Sequence, residues 1–112
     1  MRVNKKKEAD LEKILVDKVT NLGGLAWKFT SPGTVGVPDR IILIRGKICF
    51  VEMKAPDQRM RRIQEWRKKQ IEREGFDVYC LDSLEKIEKF IEDILGGKPN
   101  AVPATHLSAE SH

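Results

Sequence analysis

The sequence contains few of the residues that bind soft metals or form disulfides. Its 112 residues include two cysteines and two histidines. Cys49 and Cys80 lie far apart, without the CxxC spacing of many zinc sites. His106 and His112 lie near the C-terminus and indicate no metal site. We therefore interpret both cysteines as reduced thiols in the core of a cytoplasmic protein.

Long apolar runs are also absent from the sequence. No stretch approaches the roughly 18–20 apolar residues that a helix needs to span a bilayer. Residues 1–7 are polar and lack the apolar run of a signal peptide. We therefore expect no membrane partner.

The composition is that of a mildly basic globular protein. Hydrophobic residues make up 40% of the chain and charged residues 34%, which is enough apolar material for one core. The formal net charge of +4 favours a polyanionic partner, although many soluble proteins are equally basic. We expect a single domain over residues 1–97 and a disordered tail over residues 98–112, which are rich in Pro, Ala, Ser and His.

Hydrophobic periodicity predicts the element order αβββαβα around one sheet. The first helix is expected over residues 5–22 with Asn4 as its N-cap, and the second over residues 56–74. The third helix is expected to begin at a hydrophobic staple and cap within residues 81–85. Strands are predicted over residues 25–29, 41–44, 48–51 and 76–81. The middle strands are apolar on both faces, which favours an α/β fold with a mixed sheet flanked by helices.

Helical spacing also predicts which side chains the outer helices bury. The buried face of the first helix is expected to contain Leu11, Ile14, Leu15, Val19 and Leu22. That of the third helix is expected to contain Leu84, Ile87, Ile91, Ile94 and Leu95. Trp27 and Trp66 can stack on nucleic-acid bases, but core packing is the favoured interpretation of both.

Two acids and a lysine form the most informative pattern in the chain. With Gly46-Lys47 as a two-residue type II′ hairpin turn, Asp39 faces Lys54 across the hairpin. Because side chains alternate along a strand, Asp39, Glu52 and Lys54 are then expected on one sheet face. Asp39 and Glu52 would be diagonal neighbours with Cβ atoms about 7 Å apart.

This arrangement suits metal-assisted hydrolysis of a phosphodiester. Asp39 and Glu52, together with the Met53 carbonyl, offer the oxygen ligands that Mg²⁺ or Mn²⁺ prefers. The metal would acidify a water molecule, and Lys54 could orient that water and stabilise the transition state. A simple ion pair at a strand end would explain an isolated ExK tripeptide. The upstream position of Asp39 favours the functional interpretation.

Two further polar residues lie on predicted inward helix faces. Glu8 falls on the buried face of the first helix, where it can serve as a third metal-site acid, with Glu12 as a rival. A first-turn acid favoured by the helix dipole explains Glu8 equally well. Gln64 can bond the attacking water or a phosphate oxygen, or it can be a polar residue whose bonds are satisfied within the protein.

The second helix is the basic part of the chain. Residues 56–74 carry seven Arg or Lys against four acids, whereas residues 82–95 carry two Lys against five acids. Because the basic helix follows the proposed catalytic strand, a phosphate backbone can lie along it. The candidate DNA-binding residues are Lys28, Ser31, Arg40, Arg59, Arg61 and Arg62. Each of them, taken alone, is also explained as an ordinary surface residue.

Together these segments resemble the VRR-Nuc domain, a branch of the PD-(D/E)xK nuclease superfamily. The resemblance rests on Ser-Pro-Gly at 31–33, Gly-Val-Pro-Asp-Arg at 36–40, Phe-Val-Glu-Met-Lys-Ala-Pro at 50–56, and Gln64. It extends from about Glu8 to Ile91 and thus covers most of the predicted domain.

The resemblance implies a restriction-endonuclease-like αβββαβ core, divalent-metal dependence and endonuclease activity on DNA. It assigns the acids to Glu8, Asp39 and Glu52, the catalytic lysine to Lys54 and the motif glutamine to Gln64. The chain is similar to the short bacterial and phage members, which resemble homodimeric Holliday-junction resolvases. We therefore expect branched DNA as substrate, a homodimer, and a cytoplasmic location in a bacterial or phage-infected cell. A less selective nicking nuclease and a non-catalytic DNA-binding module remain as alternatives.

Overall fold

Four strands form one mixed sheet in the order β1-β2-β3-β4 in the computed structural model, which describes residues 7–96. The elements are α1 (Glu8–Asn21), β1 (Leu25–Lys28), β2 (Arg40–Ile44), β3 (Lys47–Met53), α2 (Arg62–Arg73), β4 (Asp77–Leu81) and α3 (Leu84–Gly96). The predicted order αβββαβα and the α/β fold class are confirmed.

The strand pairing follows directly from the lengths of the connections. β1–β2 and β2–β3 pair antiparallel, whereas β3 and β4 pair parallel. A short turn can join antiparallel strands, but a parallel pair needs a long crossover, and α2 supplies it. α2 therefore begins near the C-terminal end of β3, where Glu52 lies.

Helices cover both faces of the sheet, as the sequence predicts. α1 and α3 contact each other and the sheet on the face that carries Cys49, Val51 and Met53. α2 approaches from the other face, where its Gln64 reaches Glu52. The alternation of side chains along β3 thus separates an apolar core from a face that carries charge.

The buried face of α1 agrees with the predicted spacing. Leu11, Leu15 and Val19 are buried, and Ile14 and Leu22 pack against the same core. The helix begins after Lys7, whose backbone N–H donates to Asp10. The predicted N-cap Asn4 lies outside the described residues.

The prediction for α3 is right about its start and partly wrong about its buried face. The Ser83 hydroxyl accepts a hydrogen bond from the Lys86 N–H, which confirms the predicted cap. Leu84 and Leu95 are exposed rather than buried. Phe90, absent from the predicted set, is buried against Tyr79 at a ring-centroid distance of 4.7 Å. α3 is thus oriented so that its largest side chain lies in the core.

The hairpin between β2 and β3 turns one residue earlier than predicted. Ile44 pairs with Lys47, so Arg45 and Gly46 are the two turn residues. Both have positive φ, 51° and 78°, which identifies a type I′ turn instead of the predicted type II′. This turn matches the right-handed twist of the flanking strands even with arginine at its first position.

The predicted start of α2 at residue 56 is wrong. The Gln58 N–H donates to the Ala55 carbonyl in a turn, and Asp57 has a φ of 69°. A positive φ is incompatible with a right-handed helix. The helix therefore begins at Arg62.

The remaining predictions concern the cysteines, the tail and membranes. Cys49 is buried in β3 and Cys80 is half-buried in β4, and both are free thiols. The tail predicted over residues 98–112 lies outside the described residues. No helix between residues 7 and 96 is long and apolar enough to cross a membrane.

Candidate nuclease active site

Asp39 and Glu52 lie on neighbouring strands at the same end of the sheet. β2 pairs with β3 so that Arg40 is opposite Val51, and continuing this register places Asp39 opposite Glu52 rather than opposite Lys54. The earlier turn moves the register by an even number of residues, so both carboxylates stay on one face, as predicted. Directly opposite residues are closer than the predicted diagonal pair.

A backbone hydrogen bond fixes the side chain of Asp39. Its Oδ2 accepts from the Met53 N–H at 2.7 Å, while the Phe29 N–H donates to the Asp39 carbonyl at 2.8 Å. These bonds tie the end of β2 to both of its neighbours. Asp39 is therefore held beside Glu52 by the sheet itself.

Glu52 is a buried carboxylate, and its two oxygens differ in their hydrogen-bond partners. The residue is 2% exposed. Its Oε2 accepts from Gln64 Nε2 at 2.6 Å and lies 3.5 Å from Lys54 Nζ. Its Oε1 is buried and has no hydrogen-bond partner in the part of the chain that the structure describes. Since buried charged oxygens without partners are energetically costly, Oε1 is the atom in this site that most needs a ligand.

The environment of Glu52 disfavours its charged form. Burial raises its pKa from 4.5 to about 7, and the nearby charge of Asp39 adds to this effect. Lys54 opposes it through its charge and a hydrogen bond, and Glu8 contributes a smaller upward effect. A cation bound between Asp39 and Glu52 would reverse the two leading causes.

Gln64 holds Glu52 and begins α2 at the same time. Its Oε1 accepts from the Arg61 N–H at 2.8 Å, which is the return bond of a capping box, and its Nε2 donates to Glu52. Both ends of the amide are thus bonded within the protein. Of the two sequence interpretations, this geometry favours the polar residue whose bonds are satisfied internally.

The described residues bring together two acids, not three. No three His, Cys, Asp or Glu side chains between residues 7 and 96 converge closely enough to hold a metal ion. Glu8 lies at the start of α1, and its charge acts on Glu52 without completing such a cluster. Glu12, the rival candidate, is paired with Arg40.

Arg40 is occupied by structural contacts on the α1 side of the sheet. Its Nε donates to Glu12 at 2.8 Å and its Nη1 to the Ala26 carbonyl at 3.0 Å. Because Arg40 and Asp39 are adjacent along the strand, their side chains lie on opposite faces. Among the other candidate DNA contacts, Lys28, Arg59, Arg61 and Arg62 are exposed and Ser31 is partly exposed.

Both tryptophans lie at the surface, so the prediction that they pack in the core is wrong. Trp27 is 57% exposed and Trp66 is 52% exposed. Trp27 belongs to the edge strand β1, and Trp66 lies on α2 away from Gln64. For Trp66 the sequence did contain a signal, because it follows the inward Gln64 by two positions, which is about 200° around a helix. An isolated aromatic in a strand, such as Trp27, is compatible with either environment.

Cys80 is a neighbour of the site that sequence reasoning did not identify. It lies opposite Glu52 in the parallel β3–β4 ladder. Burial raises the pKa of its thiol, and the charge of Glu52 adds to this effect. Parallel register depends on the length and path of the crossover, so no local pattern in the sequence indicates this contact.

The two carboxylates suit a hard divalent cation. Asp39 and Glu52 supply oxygen donors, and the partnerless Oε1 of Glu52 supplies a lone pair that the protein leaves unused. Mg²⁺ and Mn²⁺ prefer such ligands and usually bind through one or two carboxylates together with waters. The site therefore fits such an ion without a third acid.

Comparisons with known proteins identify relatives of this chain. The chain is 44% identical over 78 residues to "Putative nuclease p44" of Acyrthosiphon pisum secondary endosymbiont phage 1, covering 69% of this chain and 84% of the phage protein. A solved VRR_NUC domain superposes with a TM-score of 0.72 at 30% identity, covering 78% of this chain and 96% of that domain. No protein-family model matches the sequence. On the strength of the phage relative and the shared fold, the chain belongs to the VRR-Nuc family of nucleases.

Proposed function

We propose that the protein is a divalent-metal-dependent endonuclease that cleaves branched DNA, with four-way junctions as its principal substrate. The observation that carries this proposal is the buried Glu52 carboxylate beside Asp39. One of its oxygens is held by Gln64 and Lys54, and the other has no partner among the described residues. The contacts with Gln64 and Lys54 leave Oε1 without a partner, and a bound cation would supply one.

Asp39, Glu52 and the Met53 carbonyl are the groups that would hold Mg²⁺ or Mn²⁺, and Glu8 would act through a water molecule. When bound, such an ion lowers the pKa of a coordinated water and neutralises charge on the phosphate. The protein contributes fixed geometry. The Met53 N–H holds Asp39, and Gln64 holds Glu52, so neither carboxylate must reorganise when substrate arrives.

Lys54 is the cation of the site. Its side chain is 12% exposed and its Nζ lies 3.5 Å from Glu52 Oε2. From this position the ammonium can donate to an attacking water or to a phosphate oxygen as charge develops there. Its attraction to Glu52 also keeps that carboxylate closer to its charged form.

Selectivity for four-way junctions requires two symmetric cuts. One chain of this size offers a single catalytic centre, and a two-fold homodimer would supply the second. Light scattering at micromolar concentration should therefore give the mass of a dimer. A monomeric mass would remove the basis for paired cutting, and a less selective nicking nuclease would then be the better description.

A non-catalytic DNA-binding module is the alternative from another class. Carboxylates beside a phosphate weaken binding unless a cation lies between them. Asp39 and Glu52 are therefore unfavourable in a pure binding surface. The exposed arginines at the start of α2 would serve either function.

One cleavage assay separates these functions. Labelled linear duplex, flap and four-way-junction DNA are incubated with Mg²⁺ or Mn²⁺ and the purified protein, with Asp39→Ala and Lys54→Ala as inactive controls. Paired symmetric cuts on the junction support the proposal, and cuts in every substrate indicate a general nuclease. Binding without cleavage by the unmodified protein would indicate the binding module.

A further inference from the structure

The outward side of α2 carries a stripe of three cations around a tryptophan. Arg62, Trp66, Lys69 and Arg73 recur at i, i+4, i+7 and i+11, which places them on one line along a helix. All four are exposed. Trp66 follows Gln64 by two positions, which is about 200° around the helix. The stripe, called here the α2 stripe, therefore faces solvent on the side opposite Glu52.

The cations of the α2 stripe are not used within the protein. None of the three forms an ion pair or a side-chain hydrogen bond among residues 7–96. Other basic residues of the same helix are engaged: Arg67 donates to the Val35 carbonyl and to Gln70, and Lys68 pairs with Glu72 at 2.7 Å. The engaged cations are half-buried, whereas the three cations of the stripe are exposed.

Trp66 lies in the middle of these cations with 52% of its surface exposed. An exposed indole among positive charges offers a flat apolar face beside groups that attract phosphate. Proteins that bind single-stranded nucleic acid combine these two features, because bases stack on the ring while cations follow the backbone. A duplex arm would use the cations but keep its base faces hidden in its own stack.

We propose that the α2 stripe binds an unpaired segment of the DNA substrate. The inference rests on the proposed cleavage of branched DNA and extends it to branched substrates that carry a single strand, such as a flap, since a fully paired four-way junction offers none. At about 1.5 Å per residue the stripe is about 16 Å long, which is enough to contact several nucleotides of a single strand. Its first residue, Arg62, begins the helix whose Gln64 contacts Glu52. Because the stripe lies on the side of α2 away from Glu52, a strand bound there would reach the proposed site around the N-terminal end of the helix.

Charge also disfavours an interface in which the stripes of two protein copies face each other. Six cations would then lie close together, and no acid lies on the line of the stripe to balance them. The acids of α2, Glu65 and Glu72, lie on its flank, and Glu72 is already paired. A polyanion is the partner whose charge complements this surface.

The test uses the two tryptophans as each other's control. Trp27→Phe leaves Trp66 as the reporter, and Trp66→Phe leaves Trp27. Fluorescence is titrated with a single-stranded thymidine oligonucleotide in EDTA, so that binding is measured without cleavage. We expect quenching of Trp66 and none of Trp27, with weaker quenching of Trp66 by linear duplex of equal length.

Affinity variants test the stripe independently of fluorescence. Trp66→Ala should weaken binding of the single strand about tenfold, and Trp66→Phe should retain most of the affinity. Arg62→Gln, Lys69→Gln and Arg73→Gln should each reduce the slope of log affinity against log salt by about 0.7. Lys89→Gln, an exposed lysine on α3, is the matched control and should leave the slope unchanged. Circular dichroism confirms that each variant is folded.

Three outcomes would overturn the inference: unquenched Trp66, unchanged affinity and salt slope in the stripe variants, or a Trp66 emission that shifts with protein concentration without DNA. The last would assign the surface to an interface between copies. Cleavage by the parent protein, assayed in parallel with Mn²⁺, separates the two proposals. If the parent protein cleaves DNA and the stripe variants bind the single strand as tightly as the parent, only this inference is wrong. If the stripe variants bind the single strand more weakly but the parent protein cleaves no DNA, only the proposed nuclease function is wrong.

Discussion

Gln64 donates from Nε2 to Glu52 Oε2 at 2.6 Å while its Oε1 accepts the Arg61 N–H at 2.8 Å. A single buried amide thus begins α2 and orients the Glu52 carboxylate, a proposed metal ligand. The N-terminus of the helix and the position of Glu52 Oε2 cannot shift independently. Gln64 is therefore a positioning residue, and it leaves Glu52 Oε1 free.

Replacing Gln64 with alanine should reduce both stability and activity. The Arg61 N–H and Glu52 Oε2 lose a partner each, and we expect unfolding to become easier by about 2 kcal/mol. Gln70→Ala is the matched control, because it is the same substitution on the same helix and removes only a bond from Arg67. Urea denaturation measures both. Equal stability of the two variants would contradict the dual role of Gln64.

The pKa of Glu52 predicts how stability depends on pH in the metal-free protein. The folded-state pKa is raised from 4.5 to about 7, so the folded protein binds the proton more tightly than the unfolded chain does. The stabilisation of the folded state by this proton is fully present below about pH 4.5 and is lost as pH rises through about 7. Other groups titrate as well, so the comparison must be made with Glu52→Gln.

Glu52→Gln keeps a neutral side chain at every pH. Between pH 5 and pH 8 the unmodified protein should lose about 2 kcal/mol of stability relative to this variant in EDTA. Saturating Mn²⁺ should reduce the loss, since a bound cation favours the carboxylate. The measurement is urea denaturation at both pH values. If the difference in stability between the unmodified protein and Glu52→Gln does not change with pH, folding does not raise the pKa of Glu52.

Lys54→Met should abolish most of the cleavage. Removal of one positioned charge donor from an active site commonly lowers the rate about 100-fold or more. Because Lys54 also lowers the pKa of Glu52, part of the deficit should recover as pH is raised and Glu52 ionises. The checks are single-turnover rates at pH 7 and pH 9.

Lys86→Met is the control for Lys54. Lys86 pairs with Asp82 in an exposed i,i+4 contact on α3, so its loss should change neither the rate nor its pH profile. A Lys54→Met enzyme that cleaves as fast as this control would exclude Lys54 from the reaction.

Arg40 should matter for folding more than for DNA binding. Its side chain joins α1, β1 and β2 through Glu12 and the Ala26 carbonyl, and the pair is 15% and 18% exposed. Arg40→Gln leaves Glu12 without its cation, and we expect a loss of about 2–3 kcal/mol.

The exposed pair Lys13–Asp17, 77% and 57% exposed, offers the contrast. Lys13→Gln should change stability by less than about 1 kcal/mol. If Arg40→Gln changed stability as little as Lys13→Gln but reduced the salt dependence of DNA binding, Arg40 would be a phosphate contact, as the sequence suggested.

Much of the fold was predictable because its signals are local. The period of the apolar residues indicated each helix and strand, and the cap-like segment over residues 81–85 indicated the start of α3. Asp39 and Glu52 were placed on one face correctly even though the turn was assigned one residue late. The correction moved the register by an even number of positions, and alternation preserves the face under such a shift.

The errors concern backbone conformation in turns and contacts between distant parts of the chain. Pro56 is compatible with the start of a helix, but the positive φ of Asp57 requires a turn there. Phe90 replaced Leu84 and Leu95 in the core because the orientation of α3 depends on what it packs against. The exposed positions of Trp27 and Trp66 likewise depend on which surfaces remain uncovered after the sheet forms.

By itself, the sequence determined the element order and the shared face of Asp39 and Glu52, because periodicity and short turns act over a few residues. Tertiary structure alone decided that one oxygen of Glu52 is bonded and the other is not. That difference arises where α2 docks against β3 and brings Gln64 to a residue twelve positions earlier. Burial, which raises the pKa of Glu52, exists only once this packing is complete.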